Sequence, residues 1–290
     1  MSAHLLLVHA LSPIHAGTGH SPGAIDLPIA RDTSTGFPIL PGSGIKGALR
    51  AAYSLSPGGP KVTEVFGPET ANASDHAGGL WVGDANLLCL PVRSVAGTFA
   101  WVTSPFLLGR FFRDARETAL IPPGSPPPVA SVGACTVTSS SSLPVGAKVY
   151  FEDLDFQSST GGALDPLADW LATRLFTEEH WRQSFKTRLC VVHDTVMSYL
   201  STHAMDVVTR VRLENDTKTV AKGALWTEES LPTESLLAAL VVAAPNKKTA
   251  PLSGLQSALQ SFDGKTLPFG GDVTVGRGRC QLRVVTGGAR

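Results

Sequence analysis

The stretch PGSGIKGALR, residues 41–50, constrains the fold most strongly, because a glycine- and proline-rich segment changes there into a helical pattern. The apolar residues that follow recur at helical spacing. They are Ile45, Ala48, Leu49 and Ala52. We expect Ser43 or Gly44 to cap a helix that ends near Leu55. The long irregular segment before it is expected to be an ordered loop, which makes it a candidate for function.

The cations of this helix suggest a phosphate ligand. Lys46 and Arg50 lie four residues apart and share a helix face. The run is not a nucleotide-binding P-loop, because Lys46 precedes Gly47, and Ala48 stands where a hydroxyl residue would be needed. Glycines and a helix N-terminus can still hold a phosphodiester. An ordinary loop before an amphipathic surface helix explains the same spacing.

Outward from this stretch, strands and helices are mixed. Residues 4–10 are expected to form a first strand and residues 11–41 a long loop. Further strands are expected at residues 78–93, 97–104, 148–156 and 189–194, with a last strand after residue 270. Helices are expected after residues 104, 165 and 194 and at residues 252–262. The run LLAALVVAA, residues 236–244, fits a strand or a helix.

Composition describes a folded globular chain. Of 290 residues, 43% are hydrophobic and 17% are charged, which excludes a disordered protein. Because 24 basic residues balance 24 acidic ones, a nucleic-acid site must arise from charge gathered on one face. The four cysteines form no CxxC pair, so neither a zinc site nor a disulfide framework is predicted. The apolar run at residues 5–10 is too short to span a membrane, and we expect a cytoplasmic protein.

Single motifs identify the function poorly. Asp26 lies in the loop segment GAIDLPIARD, residues 23–32, where one carboxylate is usually a turn or cap residue. His15 and His20 share a loop, but loop histidines are more often solvated than metal-bound. The glycine- and arginine-rich run GGDVTVGRGR, residues 270–279, fits no nucleotide motif and is also typical of a tight turn.

Taken in order, the motifs resemble the RAMP superfamily of CRISPR effector complexes, and within it the backbone subunits of type III-B (Cmr) complexes. The N-terminal runs that carry the likeness are ALSPIHAGTG and IDLPIARDTSTGFPILPGSGIKGALR. Later runs are FGPE, GGLWVGDANLLCLPVRSVAGTFAWVTSPFLLGRF, VTRVRLENDTKTVAKGALWTEESLP and FGGDVTVGRGR. The resemblance covers nearly the whole chain and is weakest near residues 122–142.

The resemblance implies an α+β fold with a modified ferredoxin-like (RRM-like) core and long inserted loops. Residues 1–290 would form a single RAMP domain, or palm. A β-hairpin thumb is expected at about residues 207–226, its arms marked by Arg210, Arg212, Lys218 and Lys222. A Pro- and Ser-rich insertion is expected at about residues 121–142.

The resemblance also implies the residues of a cleavage site. Asp26 matches the essential aspartate of the family and is the expected ligand of a divalent metal, Mg or Mn. His15 and Lys46 match a loop histidine and a lysine of the helix-opening motif. An acid after the thumb matches Glu228 or Glu229, of which Glu228 is preferred. The expected RNA-binding residues are Ser43, Lys46, Arg50, Arg210, Arg212, Gly276, Arg277 and Gly278.

The implied function is a guide-RNA-binding backbone that cuts complementary target RNA at regular intervals in antiviral defence. Its partners would be the CRISPR guide RNA, the target RNA, further copies of itself in a helical stack and other Cmr-complex subunits, with no membrane. Asp26 would bind the metal or take the 2′-hydroxyl proton, while Lys46 or His15 stabilises charge or protonates the leaving oxygen. A non-catalytic backbone that only holds the RNA is the alternative.

Overall fold

The computed structural model describes residues 1–21, 23–55, 58–129, 131–217 and 219–287. The strands are β1 (Ser2–Ala10), β2 (Ile39–Leu40), β3 (Leu80–Val82), β4 (Ala85–Arg93), β5 (Phe99–Thr103), β6 (Ala134–Val137), β7 (Lys148–Phe151), β8 (Leu154–Thr160), β9 (Leu189–Val192), β10 (Asp206–Leu213), β11 (Val220–Ser230), β12 (Leu236–Ala243), β13 (Thr266–Pro268) and β14 (Arg279–Thr286). The helices are α1 (Gly42–Ser54), α2 (Val62–Phe66), α3 (Pro105–Glu117), α4 (Leu164–Leu175), α5 (Glu179–Arg188), α6 (Asp194–His203) and α7 (Leu252–Gln260). Short 3-10 turns occupy Thr70–Asn72 and Val273–Val275.

The centre of the main sheet has a ferredoxin-like topology. Its strands run in the order β14-β1-β12-β4, and each neighbouring pair is antiparallel. Helix α1 connects β1 towards β4, and α7 connects β12 towards β14. A β-α-β-β-α-β chain with this strand order is the ferredoxin-like arrangement. The predicted α+β class is therefore confirmed.

The chain between β4 and β12 enlarges this core. Beyond β4 the sheet continues through β5, β9, β6, β8 and β7, with parallel pairing of β5 to β9 and of β6 to β8. Strand β2 pairs with β4, β3 pairs with β12, and β13 adds to the edge at β14. Within the described residues, these strands form one continuous sheet.

Both faces of the central sheet are buried, which explains the unbroken apolar run in β1. Leu6 and Val8 belong to a core that also contains residues of α1 and α7. Leu5 and Leu7 belong to a second core built with α3, α4 and α5. Each of these β1 side chains is at most 1% exposed. Since successive strand residues point to opposite faces, only a strand covered on both sides has this pattern.

The first residue of helix α1 precedes both of the predicted caps. Gly42 is its first residue, and its N–H donates to the Asp84 carboxylate at 2.7 Å. A Cβ at position 42 would lie 2.5 Å from the carbonyl oxygen of Val82. Gly42 is therefore required by close packing, and a carboxylate brought from another segment occupies the helix N-terminus. The expectation that Ser43 or Gly44 caps this helix was wrong.

The expected insertion at residues 121–142 contains part of the sheet. Residues 134–137 form β6, paired on both sides, by β9 and β8. The serine run that follows is anchored, since Ser139 donates its N–H to the Asp165 carboxylate at 2.8 Å. The ambiguous run at residues 236–244 is strand β12, between β1 and β4. Pairing with strands that are distant in sequence makes β6 and β12 strands of the sheet.

A hairpin stands apart from the main sheet. Strands β10 and β11 pair with each other in an antiparallel register that places Val211 opposite Leu225. The hairpin reaches Ser230, further than the predicted residue 226, and Asn215 and Asp216 lie in its exposed turn. Its arms expose apolar side chains at Val207, Val211, Leu213, Val220 and Leu225.

Candidate functional site

The loop that carries Asp26 runs beside the base of the hairpin. Leu27 forms a parallel bridge with Glu228 of β11. The N–H of Leu27 donates to the carbonyl of Thr227, and the N–H of Glu229 donates to the carbonyl of Leu27, both at 3.0 Å. The loop is thus added to β11 as a short extra strand, which brings Asp26 next to Thr227.

The Asp26 carboxylate is held in one orientation. Its Oδ2 accepts from the backbone N–H of Thr227 at 2.7 Å and from the Thr227 hydroxyl at 2.9 Å. The same hydroxyl accepts from the N–H of Asp26 at 3.0 Å. These hydrogen bonds from Thr227 hold the pKa of the Asp26 carboxyl below its ordinary value. The result is a partly exposed, ionised carboxylate whose Oδ1 accepts no hydrogen bond from another described residue.

Glu228 lies on the opposite side of β11 from Thr227, because adjacent strand residues point to opposite faces. It is 2% exposed and accepts from Arg210 Nε at 2.6 Å. Arg277 Nε lies 3.8 Å from its other oxygen, and Asp272 pairs with Arg210 at 3.5 Å. Burial raises the pKa of Glu228, and the neighbouring Asp272 raises it further. Glu228, Arg210, Arg277 and Asp272 are called the basal ion cluster below.

His15 is buried against this cluster. Its Nδ1 donates to the carbonyl of Glu229 at 2.7 Å and lies 3.9 Å from Oε1 of Glu228. Its own carbonyl accepts from the N–H of Gly271 at 2.8 Å. Gly270 has φ +84°, and a Cβ there would lie 2.4 Å from the His15 carbonyl oxygen. The glycine-rich run therefore packs directly onto the backbone of His15.

The cleavage residues expected from the sequence do not converge on one point. Asp26 shares a face of β11 with Thr227, whereas His15 contacts Glu228 on the other face. Lys46 lies on α1 and, among the residues that the structure describes, makes no hydrogen bond or ion pair. Among the described residues, Asp26 thus stands without His15, Glu228 or Lys46 as a hydrogen-bond or ion-pair partner.

Ser43, Lys46 and Arg50 do come together. They line an open cavity of about 590 Å³ on the outer side of α1. Arg50 Nη1 donates to the carbonyl of Gly67 at 2.5 Å, which fixes its guanidinium. Partial burial and the adjacent Arg50 lower the pKa of Lys46. Two neighbouring cations with one ammonium free form a surface suited to an anion.

The other predicted RNA-binding residues differ in their environment. Arg277 donates to the Ser230 hydroxyl at 2.5 Å and lies 3.7 Å from Asp206, so it is engaged within the protein. Arg210 is likewise paired in the basal ion cluster. Arg212 lies exposed on the hairpin, with no ionic partner in the described ranges.

The glycines of the terminal run have backbone roles. Gly276 has φ +88° and ends a 3-10 turn. Gly278 has φ +74°, and a Cβ there would lie 2.0 Å from the carbonyl oxygen of Phe269. Of the predicted hairpin cations, Lys218 and the side chain of Lys222 lie outside the described residues.

No sequence motif indicates several of the contacts at this site. Thr227 and Asp272 were not predicted, although they contact Asp26 and Arg210. Glu229 pairs with Arg31 and accepts from the N–H of Ile29 at 3.1 Å. These partners are separated by up to about two hundred positions, so no local spacing could indicate them.

The side chains that could act as metal ligands indicate what kind of metal site could exist here. Within the described residues, no group of three or more His, Cys, Asp or Glu side chains is arranged to hold a metal ion. Asp26 offers one free carboxylate oxygen. Mg²⁺ commonly binds one or two carboxylates together with substrate phosphates. The residues therefore fit an ion shared with RNA and do not fit a site made by protein ligands alone.

No helix in the described part of the chain is both long and apolar enough to cross a bilayer. The fold and site define an α+β protein with a ferredoxin-like core, a projecting hairpin and one oriented carboxylate at the hairpin base. The chain matches the RAMP superfamily over residues 7–281 and belongs to that family.

Comparison with individual proteins shows members of the family to which this chain is similar. The chain is 33% identical to the CRISPR system Cmr endoribonuclease Cmr4 of Pyrococcus furiosus over 292 residues, covering 99% of this chain and 97% of that protein. The crystal structure of oligomeric Cmr4 from Pyrococcus furiosus is similar with a TM-score of 0.78 and 26% identity, over 99% of both chains. A chain of the type III-B Cmr-beta complex bound to cognate target RNA has a TM-score of 0.74 at 19% identity, over 98% of this chain and 97% of that one, which shows the shared fold. The resemblance to type III-B backbone subunits is confirmed.

Proposed function

We propose that this chain is the backbone subunit of a type III-B CRISPR effector complex, where it binds guide RNA and cleaves complementary target RNA. Similarity over nearly the full length to a protein named as a Cmr endoribonuclease supports this function. The observation that carries the catalytic part is the ionised, oriented carboxylate of Asp26 at the base of the hairpin.

The proposed reaction uses the 2′-hydroxyl of the target RNA. The 2′-oxygen attacks the adjacent phosphorus, the bond to the 5′-oxygen breaks, and a 2′,3′-cyclic phosphate and a 5′-hydroxyl result. The 2′-hydroxyl loses a proton and the leaving oxygen gains one. The attack needs an in-line geometry that a stacked helix does not allow. A nucleotide displaced by the hairpin can adopt it, and splayed nucleotides are common in RNA recognition.

The free Oδ1 of Asp26 fits two roles in this step. It can accept the 2′-hydroxyl proton, or it can supply one ligand to Mg²⁺ or Mn²⁺ held jointly with RNA phosphates. Such an ion would stabilise negative charge on the phosphate. His15 and Glu228 are buried on the other side of β11, so their proposed part is to support the hairpin base that carries Thr227.

The guide RNA is proposed to contact the cavity of Ser43, Lys46 and Arg50, with Arg212 reaching RNA from the hairpin. Phosphate contacts of this kind hold any sequence alike. Further copies of the chain and other Cmr subunits would complete a helical assembly, located in the cytoplasm and independent of membranes. The oligomeric Cmr4 of Pyrococcus furiosus supports the self-association.

One observation favours the alternative of a non-catalytic backbone. Glu228 and His15 lie on the other side of β11, so within the described residues neither is a hydrogen-bond or ion-pair partner of Asp26, and a charge on His20 acts on Asp26 only electrostatically. A backbone that only holds the duplex would have the same fold. Cleavage by the assembled complex separates the two functions.

The test is cleavage of an end-labelled target by complexes reconstituted with wild-type chain, Asp26→Ala or Asp153→Ala. Asp153 is an exposed carboxylate in the β7–β8 turn and serves as the matched control. We expect Asp26→Ala to retain assembly and guide binding and to lose at least about 10³-fold in cleavage rate, a change of roughly 4 kcal/mol. Wild-type cleavage by the Asp26→Ala complex would favour the non-catalytic backbone. Repeating the wild-type reaction with EDTA, and then with added Mg²⁺ or Mn²⁺, tests the metal.

A further inference from the structure

We propose that Thr227 is a positioning residue for target cleavage, whose hydroxyl holds the Asp26 carboxylate in the orientation that reaches the RNA. The inference rests on the proposed function of Asp26. It assigns to a residue of the hairpin a part in the reaction that no sequence motif indicates.

Both hydrogen bonds of the Thr227 hydroxyl are made with Asp26. The hydroxyl donates to Oδ2 at 2.9 Å and accepts from the N–H of Asp26 at 3.0 Å. The backbone N–H of Thr227 donates to the same Oδ2 at 2.7 Å. Two donors on one carboxylate oxygen restrict rotation about the last side-chain bond of Asp26. Oδ1, which accepts no hydrogen bond from another described residue, is thereby left for a ligand.

The hydroxyl is one of several contacts that hold the loop, because it also accepts from the N–H of Asp26. The Asp26 loop is attached to β11 by main-chain hydrogen bonds between Leu27 and its neighbours Thr227 and Glu229. These bonds do not depend on the side chain at position 227. Removing the hydroxyl should therefore keep the main-chain pairing of Leu27, while the Asp26 N–H loses its acceptor and Oδ2 is left with the N–H of Thr227 as its donor, which loosens the carboxylate.

This arrangement links two parts of the protein that meet at the RNA. Asp26 belongs to the loop between β1 and β2, whereas Thr227 belongs to β11 of the hairpin. The hydroxyl consequently places the carboxylate relative to the element that is proposed to displace a nucleotide. Errors of about 1 Å in such a placement can cost roughly 100-fold in rate.

The experiment compares Thr227→Val, Thr227→Ser and the control Thr160→Val in assembled complexes under single-turnover conditions. Valine has the shape of threonine without the hydroxyl, and serine restores the hydroxyl. Thr160 is an exposed strand threonine at the end of β8, which belongs to the main sheet, whereas β11 belongs to the separate hairpin. We expect Thr227→Val to slow the cleavage step by about 10- to 100-fold, with target binding changed less than about twofold. Thr227→Ser should recover to within about threefold of wild type, and Thr160→Val should be unchanged.

Each outcome decides the proposal. A full cleavage rate for Thr227→Val would overturn it. A reduced rate that serine does not rescue, or that appears as weaker assembly or binding, would assign Thr227 a structural role and overturn it as well. Asp26→Ala is measured in parallel. If that variant cuts normally, the proposed function fails; if it is inactive while Thr227→Val cuts normally, the positioning role alone fails.

Discussion

Residues 227–229 illustrate how a strand divides neighbouring side chains between two tasks. Thr227 and Glu229 point to the face that holds the Asp26 loop, and Glu228 points to the basal ion cluster. Residue type alone does not distinguish the adjacent Glu228 and Glu229. Glu229 pairs with Arg31 and is 3% exposed, so its role is to secure the loop against β11.

Removal of the Arg31 side chain should be costly, because it leaves the buried Glu229 carboxylate without its cation. We expect Arg31→Met to lower the free energy of unfolding by about 3 kcal/mol, and addition of Glu229→Gln to recover part of that decrease. Arg113→Met is the control, since Arg113 is 66% exposed in its pair with Asp114. Its expected cost is below about 1 kcal/mol. Urea unfolding of the isolated chain measures these values, and equal small decreases for Arg31 and Arg113 would contradict the assignment.

At the scale of the element, α1 differs from the glycine-rich run in how its cations are used. The N–H of Gly42, at the N-terminus of α1, already donates to the Asp84 carboxylate. The partial positive charge of this helix end is therefore not free to bind a phosphate. Lys46 remains available on the side of the helix. Arg277 of the glycine-rich run is instead bound to Ser230 and Asp206. The cation of the helix is therefore better placed to bind RNA than the arginine of the loop.

Guide binding should distinguish these two cations. Lys46→Gln is expected to weaken binding of all guide sequences alike and to reduce the slope of log K against log salt by about 0.7 for each phosphate that the variant no longer binds. Arg277→Gln should leave the slope unchanged while lowering stability, because it removes a partner of the buried Glu228. Binding titrations from low to moderate salt with two unrelated guides measure the slope. A Lys46→Gln effect confined to one guide would indicate base recognition instead.

On the scale of the whole molecule, the hairpin projects from a sheet that is buried on both faces. Its base is held on one side by the Asp26 loop and on the other by the basal ion cluster. Its arms expose apolar side chains beside Arg212. Apolar side chains next to cations can separate stacked bases while tolerating phosphates. The anchored base and exposed arms suit the proposed displacement of a nucleotide by the hairpin.

Shortening the hairpin should weaken every cut without moving any of them. We expect deletion of Asn215 and Asp216 to reduce cleavage at all sites by at least roughly 10-fold, a change of about 1.4 kcal/mol. The intervals should persist, since a head-to-tail contact between copies sets one fixed step. Deletion of Gly124 and Ser125, in an exposed loop elsewhere, is the control. Cut positions on an end-labelled target give the result, and undiminished cutting would remove the hairpin from the mechanism.

Local sequence determined the elements whose pattern needs no distant partner. Apolar spacing predicted helix α1, and Ser104 followed by Pro105 predicted the start of α3, where the Ser104 hydroxyl accepts from the N–H of Leu107. The hairpin was expected from the resemblance, with Arg210 and Arg212 marking one of its arms. The ordered motifs indicated the family and Asp26 as the cleavage residue, a role that stays a prediction.

Tertiary structure alone decided the surroundings of Asp26. Thr227 lies 201 positions away, and its hydrogen bond to the carboxylate exists only because the loop pairs with β11. The pleat of that strand, and not residue type, turned Glu228 away from Asp26 and buried it with Arg210. Residue type and local spacing specify which elements form. Which side chains then meet depends on strand pairing between segments far apart in the chain, and a single sequence does not record that pairing.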